Sequence, residues 1–149
     1  MSQVAVFAGA FGALFAAHMF GDHWVQTHKQ ACGKGDRTPM GKILCLQHVI
    51  SLTITKAGFV LALVVFTDVR FGILPFLIGL TVDAISHYWA DRRYTLEALA
   101  GRIGKLDFYR LGSPRPGRDD NPSIGTGAYA LDQSWHIAFL FVAALIMSA

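Results

Sequence analysis

Residues 4–21 read VAVFAGAFGALFAAHMFG, eighteen consecutive positions without a formally charged side chain. At about 1.5 Å per residue, a helix of that length approaches the roughly 30 Å hydrocarbon core of a bilayer. No Lys or Arg precedes the run, and no short apolar core ends at a small-residue cleavage site. It therefore reads as a retained membrane anchor rather than a secretory leader. Gly9, Ala13 and Ala17 recur every fourth position, as do Gly12 and Ala16, a spacing that lets another helix approach closely. Three further runs share this character. Ile43 to Phe66 is broken only by His48 and Lys56, Phe71 to Ala90 carries Asp83 and His87, and Gly127 to Ala149 carries Asp132 and His136. The fold class is all-α: an integral-membrane bundle of four transmembrane helices at about 4–25, 43–67, 71–91 and 127–148, forming one domain over residues 1–149.

Composition agrees with that reading. Hydrophobic residues make up 53% of the chain and charged residues 15%, against about 25% charged in ordinary soluble domains. A mean hydropathy of +0.41 excludes a disordered chain as well. Two cysteines, Cys32 and Cys45, are too few for a disulfide framework or a four-Cys zinc site. A net charge of +3 raises the question of nucleic acid, but eleven of the thirteen basic residues lie in two loops, so membrane topology explains them and no nucleic-acid partner is expected. Lys29, Lys34, Arg37 and Lys42 occupy the first loop. Arg92, Arg93, Arg102, Lys105, Arg110, Arg115 and Arg118 occupy the third. The positive-inside rule then puts both loops in the cytoplasm and both termini outside.

The cytoplasmic loop at residues 92–126 has internal pattern. Leu96, Leu99, Ile103 and Leu106 recur at helical spacing between Tyr94 and Leu111, with Arg102, Lys105 and Arg110 among them. This predicts a short interfacial amphipathic helix between helices three and four, weakened by Gly101 and Gly104. The Gly-, Pro-, Asp- and Ser-rich stretch from Gly112 to Gly127 reads as a loop able to act as a lid.

Candidate chemistry lies in the polar residues of the apolar runs. His18, Asp22 and Gln26 are spaced by four, as are Asp83, His87 and Asp91, and again Asp132 and His136, with Gln133 adjacent. Residues four apart share a helix face, so each ladder presents its groups in one direction. The ladders fall at the C-terminal ends of helices one and three and at the N-terminal end of helix four; His48 falls at the N-terminal end of helix two. With alternating topology, all four ends meet on the cytoplasmic side. The apolar remainder Ile137 to Ala149 spans only about 20 Å, so the ladders begin inside the membrane, where ionisable groups are costly unless paired, hydrated or metal-bound. Converging imidazoles and carboxylates suit Zn, Mn or Fe. Such an ion, one or two of them, lowers the pKa of a bound water and makes a nucleophile. The expected ligands are His18, Asp22, Asp83, His87, Asp132 and His136. Asp22, Asp83 and Asp91 are the candidate catalytic carboxylates, and Gln26, His48 and Gln133 the supporting groups. The basic loops would draw in an anionic substrate.

Other polar and aromatic residues receive plainer readings. His23 and His28 are expected at the interface, Cys45 as a packed thiol, and Lys56 as paired or lining a cavity near mid-membrane. Trp24, Tyr88, Trp89, Tyr94, Tyr129 and Trp135 read as an interfacial aromatic belt.

The stretch from His18 through Asp22 to Gln26 resembles the opening of an uncharacterised family of small bacterial and phage membrane proteins. Its members carry H-x-x-x-D-x-x-x-Q, then a lone His, then D-x-x-x-H and a final D-Q-x-x-H, matched here by His48, Asp83 to His87, and Asp132-Gln133 to His136. More distantly the pattern is similar to integral-membrane, metal-dependent hydrolases. The resemblance implies a multi-pass protein of the bacterial plasma membrane. A metal-dependent hydrolase acting on phosphoester or lipid-like substrates is the leading expectation. The alternatives are a non-enzymatic bundle that modulates another membrane protein, and a haem b anchor using His18, His48, His87 or His136. Expected partners are the lipid bilayer and either further copies of the chain or a larger membrane protein.

Overall fold

A computed structural model describes residues 2–114 and 125–149, so most of the stretch expected as a lid, with Arg115 and Arg118, lies outside the described residues. All regular structure among the described residues is helical. Helix α1 (Gln3–Phe20) starts at Ser2, whose hydroxyl accepts from the Ala5 amide, and runs on into one π-helical turn, Gly21–Val25. A short α2 (His28–Gly33) follows, opened by Thr27 and Gln30 in a reciprocal capping box. Helix α3 (Pro39–Phe66) is capped by Thr38, with Pro39 in the first turn where its missing amide hydrogen costs nothing. Then come α4 (Ile73–Asp91), α5 (Tyr94–Arg102), α6 (Leu106–Tyr109) and α7 (Gly127–Met147).

Four of these elements are long and apolar enough to cross a membrane: α1 with its π turn, α3, α4 and α7. They close a ring in which α1 packs on α3 and α7, and α4 packs on α3 and α7. Consecutive long helices run in opposite directions. Ala10 and Leu14 of α1 share an apolar core with Val60 of α3, Leu80 of α4, and Leu140 and Met147 of α7. The histidines of the same helices gather at the other end. The outward surface is apolar too: Leu61 and Val65 of α3, Leu74 and Leu77 of α4, and Phe141 and Leu145 of α7 are exposed. A water-soluble bundle hides such residues, whereas a lipid-facing one displays them.

The loops hold two elements that periodicity did not predict as such. The basic first loop contains α2. The amphipathic stretch Tyr94 to Leu111 is divided into α5 and α6, because Gly104 takes a φ of +71° that an L side chain rarely adopts. Leu96 and Ala100 are buried against the bundle, while Ile103 is exposed at the break.

Small residues set the closest helix contacts. A Cβ at Gly79 of α4 would lie 2.9 Å from the Ala143 carbonyl oxygen of α7, whereas one at exposed Gly12 would meet nothing within 4 Å. Gly79→Ala is therefore expected to destabilise the bundle by about 1–3 kcal/mol through overpacking. Gly12→Ala should leave stability unchanged or raise it by up to about 1 kcal/mol. Thermal unfolding in one detergent reads both, and equal shifts would contradict the α4–α7 contact.

Candidate metal centre

Helix α4 supplies the frame. Asp83, His87 and Asp91, one turn apart, are 3%, 1% and 2% exposed, so a whole polar face of an apolar helix is turned inward. His18 of α1 and His48 of α3 are fully buried beside it, and His136 of α7 nearly so. Asp22 arrives from the π turn, whose closing bond runs from the Gln26 amide to the Gly21 carbonyl at 2.9 Å, five residues apart. A turn of that width changes the direction of every group after Phe20 from that of a continuous α-helix, and such turns are frequent at functional sites. Gly21 lets it lie against α3, because a Cβ there would overlap the Leu52 side chain.

Four donor atoms crowd together. His48 Nε2 lies 3.1 Å from His87 Nε2, 3.2 Å from Asp22 Oδ1 and 3.3 Å from Asp91 Oδ2. His87 Nε2 lies 3.2 Å from Asp91 Oδ2 and 3.8 Å from Asp22 Oδ1. Metal–ligand bonds of 2.0–2.1 Å in a tetrahedron put neighbouring donors about 3.3–3.4 Å apart, so the His48–His87–Asp91 triangle and the His48–Asp22 edge are close to the length that a small divalent ion needs. His136 and His18 complete the surroundings. The His136 ring is 4.0 Å from that of His87 and 5.1 Å from that of His18, centroid to centroid. Two groups can each hold an ion, Asp22 with His48 and His87, and His87 with Asp91 and His136.

Beyond the His48 Nε2–His87 Nε2 hydrogen bond, hydrogen bonding does not account for this crowding. Asp22 Oδ1 and Asp91 Oδ2 approach imidazole nitrogens closely, yet neither has a hydrogen-bond partner among the described residues. Both ring nitrogens of His18 and of His136, and Nδ1 of His48 and of His87, are likewise buried without one. Buried polar atoms normally find partners, and carboxylate oxygens beside imidazole lone pairs need a proton or a cation among them.

The surrounding residues orient the set. Lys34 Nζ is 2.8 Å from Asp91 Oδ1, leaving Oδ2 to face the histidines. Arg92, 2% exposed, donates to the Lys34 carbonyl at 2.7 Å and to the Asp36 carbonyl, and Arg93 donates to the Ala31 carbonyl at 2.8 Å. Asp132 Oδ2 is 3.6 Å from His136 Nδ1 and accepts from Gln133 Nε2 at 3.3 Å. Above the nest opens a cavity of about 640 Å³. Asp22 and Asp91 reach its wall beside Gln26, Lys34, Arg93, Tyr129, Asp132 and Gln133, and His23, expected at the interface, lines it too.

Of the residues singled out in the sequence, His18, Asp22, His48, His87, Asp91 and His136 are brought together. Asp132, Gln133 and Gln26 stand at the cavity beside them. Asp83 is engaged elsewhere: its Oδ2 accepts from the buried Lys56 Nζ at 2.6 Å. Cys45 Sγ lies 3.7 Å from the Tyr88 carbonyl and is absent from both donor groups. Tyr129, expected in an aromatic belt, faces the cavity. Lys34 and Arg92 were read only as topogenic charges. The one signal pointing to Lys34 is the Thr27-x-x-Gln30 capping box, which starts the helix that returns the chain to the bundle.

A family model described as "Protein of unknown function (DUF3307)" matches residues 10–149, a span that includes most of α1, the whole of the other three long helices and the entire nest. No curated protein and no solved structure matches the chain.

The Lys56–Asp83 pair can be tested apart from the nest. Asp83→Ala leaves a fully buried ammonium without its counter-charge and should cost about 3–5 kcal/mol. The double variant Lys56→Met, Asp83→Leu should recover most of that loss in detergent unfolding. Equal destabilisation of the single and double variants would refute a simple ion pair.

Proposed function

The chain belongs to the DUF3307 family, and from that premise we propose that it is a membrane-embedded, metal-dependent hydrolase. One observation carries the reading: Asp22 Oδ1 and Asp91 Oδ2 each lie 3.2–3.8 Å from the Nε2 atoms of His48 and His87, themselves 3.1 Å apart, without hydrogen-bond alignment of the carboxylate oxygens, under a cavity large enough for a substrate headgroup. Two imidazoles and two carboxylates form a nitrogen–oxygen set suited to Zn, Mn or Fe rather than to a soft thiolate-preferring ion. A divalent ion held there would polarise a substrate oxygen and bring the pKa of a bound water toward 7.

The chain's own groups then have distinct tasks. Asp22, His48, His87 and Asp91 would hold the ion, with His136 able to join His87 and Asp91 as a ligand and His18 beside them. Lys34 fixes Asp91 by occupying its second oxygen, the kind of outer contact that orients a ligand. Asp132, beside His136 and open to the cavity, is placed to accept a proton from the attacking water. The cavity wall sets Lys34 and Arg93 against Asp22, Asp91 and Asp132, so a bound divalent cation would be what turns it positive toward a phosphoester or another anionic, lipid-like substrate. In the membrane, the basic loops and this polar end face the cytoplasm. A haem reading fits less well. The His18, His87 and His136 rings lie 4.0–5.5 Å from one another, centroid to centroid, which leaves no slot for a macrocycle between them.

Elemental analysis by mass spectrometry on protein purified in detergent without chelators tests this directly. The wild type is expected to carry one or two equivalents of Zn, Mn or Fe, and the His87→Ala, Asp91→Ala variant less than a tenth of that. Hydrolysis of phosphoester and phospholipid substrates should cease with a chelator and return with the metal. Folded wild-type protein without metal would overturn the reading.

A further inference from the structure

A second groove, of about 460 Å³, opens outside the nest where the start of α3, the end of α4 and α5 meet. Its wall carries three cations: Arg37 just before α3, Lys42 in the first turn of α3, and Arg102 at the end of α5. Among the described residues, no carboxylate lines it. Among the described residues, the Lys and Arg ion pairs engage Lys34, Lys56 and Arg110, and none of these three. Helix α5 turns Thr95, Ala98 and Arg102 toward the groove while Leu96 and Ala100 bury its opposite side. The Tyr94 ring holds the Arg37 guanidinium 4.8 Å from its centroid, so that cation is placed in advance.

The groove continues into an apolar track. Trp89 in its wall packs on Trp135 at 4.7 Å between ring centroids, and Trp135 stacks on Phe139 at 5.0 Å. Phe139 is one turn further along α7, toward the apolar end of the bundle. The Trp135 indole is fixed by donating to Ser86 Oγ at 2.9 Å. On α4, exposed Ile85 lies one turn below Trp89 on the same side. A free phosphate has use for the cations but none for this track. A lipid uses both, with its headgroup at the charged mouth and its chain along the aromatic rings.

We propose that this groove binds the phosphate headgroup of an anionic glycerophospholipid, whose acyl chain lies along Trp89, Trp135 and Phe139. The site is separate from the metal nest and does not depend on the hydrolase reading; it requires only that the chain sit in a bilayer. Basic pockets at the ends of membrane helices are suited to such headgroups, and each cation near the surface is worth a factor of about five in affinity.

Native mass spectrometry of the full chain in mild detergent tests the assignment with three probes: dioctanoyl phosphatidylglycerol, dioctanoyl phosphatidylcholine and glycerol 1-phosphate. Wild-type protein should bind the phosphatidylglycerol about tenfold more tightly than the phosphatidylcholine, and the chainless phosphate far more weakly than either. Lys42→Ala with Arg102→Ala should lower phosphatidylglycerol affinity about tenfold or more and abolish the preference. Lys29→Ala with Lys105→Ala, the same charge change away from the groove, should leave it within about twofold. If the first variant does not fold, Arg102→Glu on the exposed side of α5 reads the same loss of preference. Equal affinity for the two lipids, equal losses in both double variants, or glycerol 1-phosphate binding as tightly as phosphatidylglycerol would each overturn the proposal.

Discussion

The carboxylate of Asp91 joins three parts of the chain at once. One oxygen meets Lys34 from the first loop, and the other meets His48 of α3 and His87 of its own helix. The next two residues, Arg92 and Arg93, hold the carbonyls of Lys34, Asp36 and Ala31. The polar end of the bundle is thus tied from the end of α4 outward. Arg93 pays for its place with a φ of 55°, uncommon for a residue with a side chain. Without these ties the first loop would keep only its packing on α3, and Asp91 Oδ1 would face the cavity unpaired.

The two ends of the bundle are held by different forces. At the apolar end, small residues such as Ala10, Gly79, Ala143 and Ala144 bring backbones close, and dispersion between tightly packed atoms does the holding, the means available to helices in surroundings as apolar as their side chains. At the polar end, imidazoles and carboxylates replace Ala and Leu at the inward positions. Ionisable groups there repay their burial only by pairing or by gathering round a cation. Lys56 and Asp83 show the first solution, a closed ion pair at the floor of the nest. Asp22, His48, His87 and Asp91 have the arrangement of the second.

Much of this was legible because a polar residue in an apolar run is conspicuous. The four long helices follow from the hydrophobic runs, and the inward ladders of α1, α4 and α7 follow from spacing by four. What spacing cannot reveal is a partner on another helix. Asp83 belongs to the same ladder as His87 and Asp91, yet Lys56, 27 residues away in sequence, captures it. His48 has no ladder of its own, so nothing local marks it as a donor beside His87. The π turn at Gly21–Val25 was hidden for a different reason: it changes the helical period itself, so a fixed spacing misjudges where Asp22 points. The break between α5 and α6 was half visible in Gly101 and Gly104, and the backbone there decided against one continuous helix.

The apolar core formed by Ala10, Leu14, Val60, Leu80, Leu140, Ala143, Ala144 and Met147 closes the bundle on the side away from the histidines. The interior is consequently a blind vestibule rather than a conduit. Among the described residues, the nest opens toward the cavity lined by Asp22 and Asp91, on the side away from this core. In a bilayer, a nest closed in this way would fill from one face and would equilibrate with that face alone.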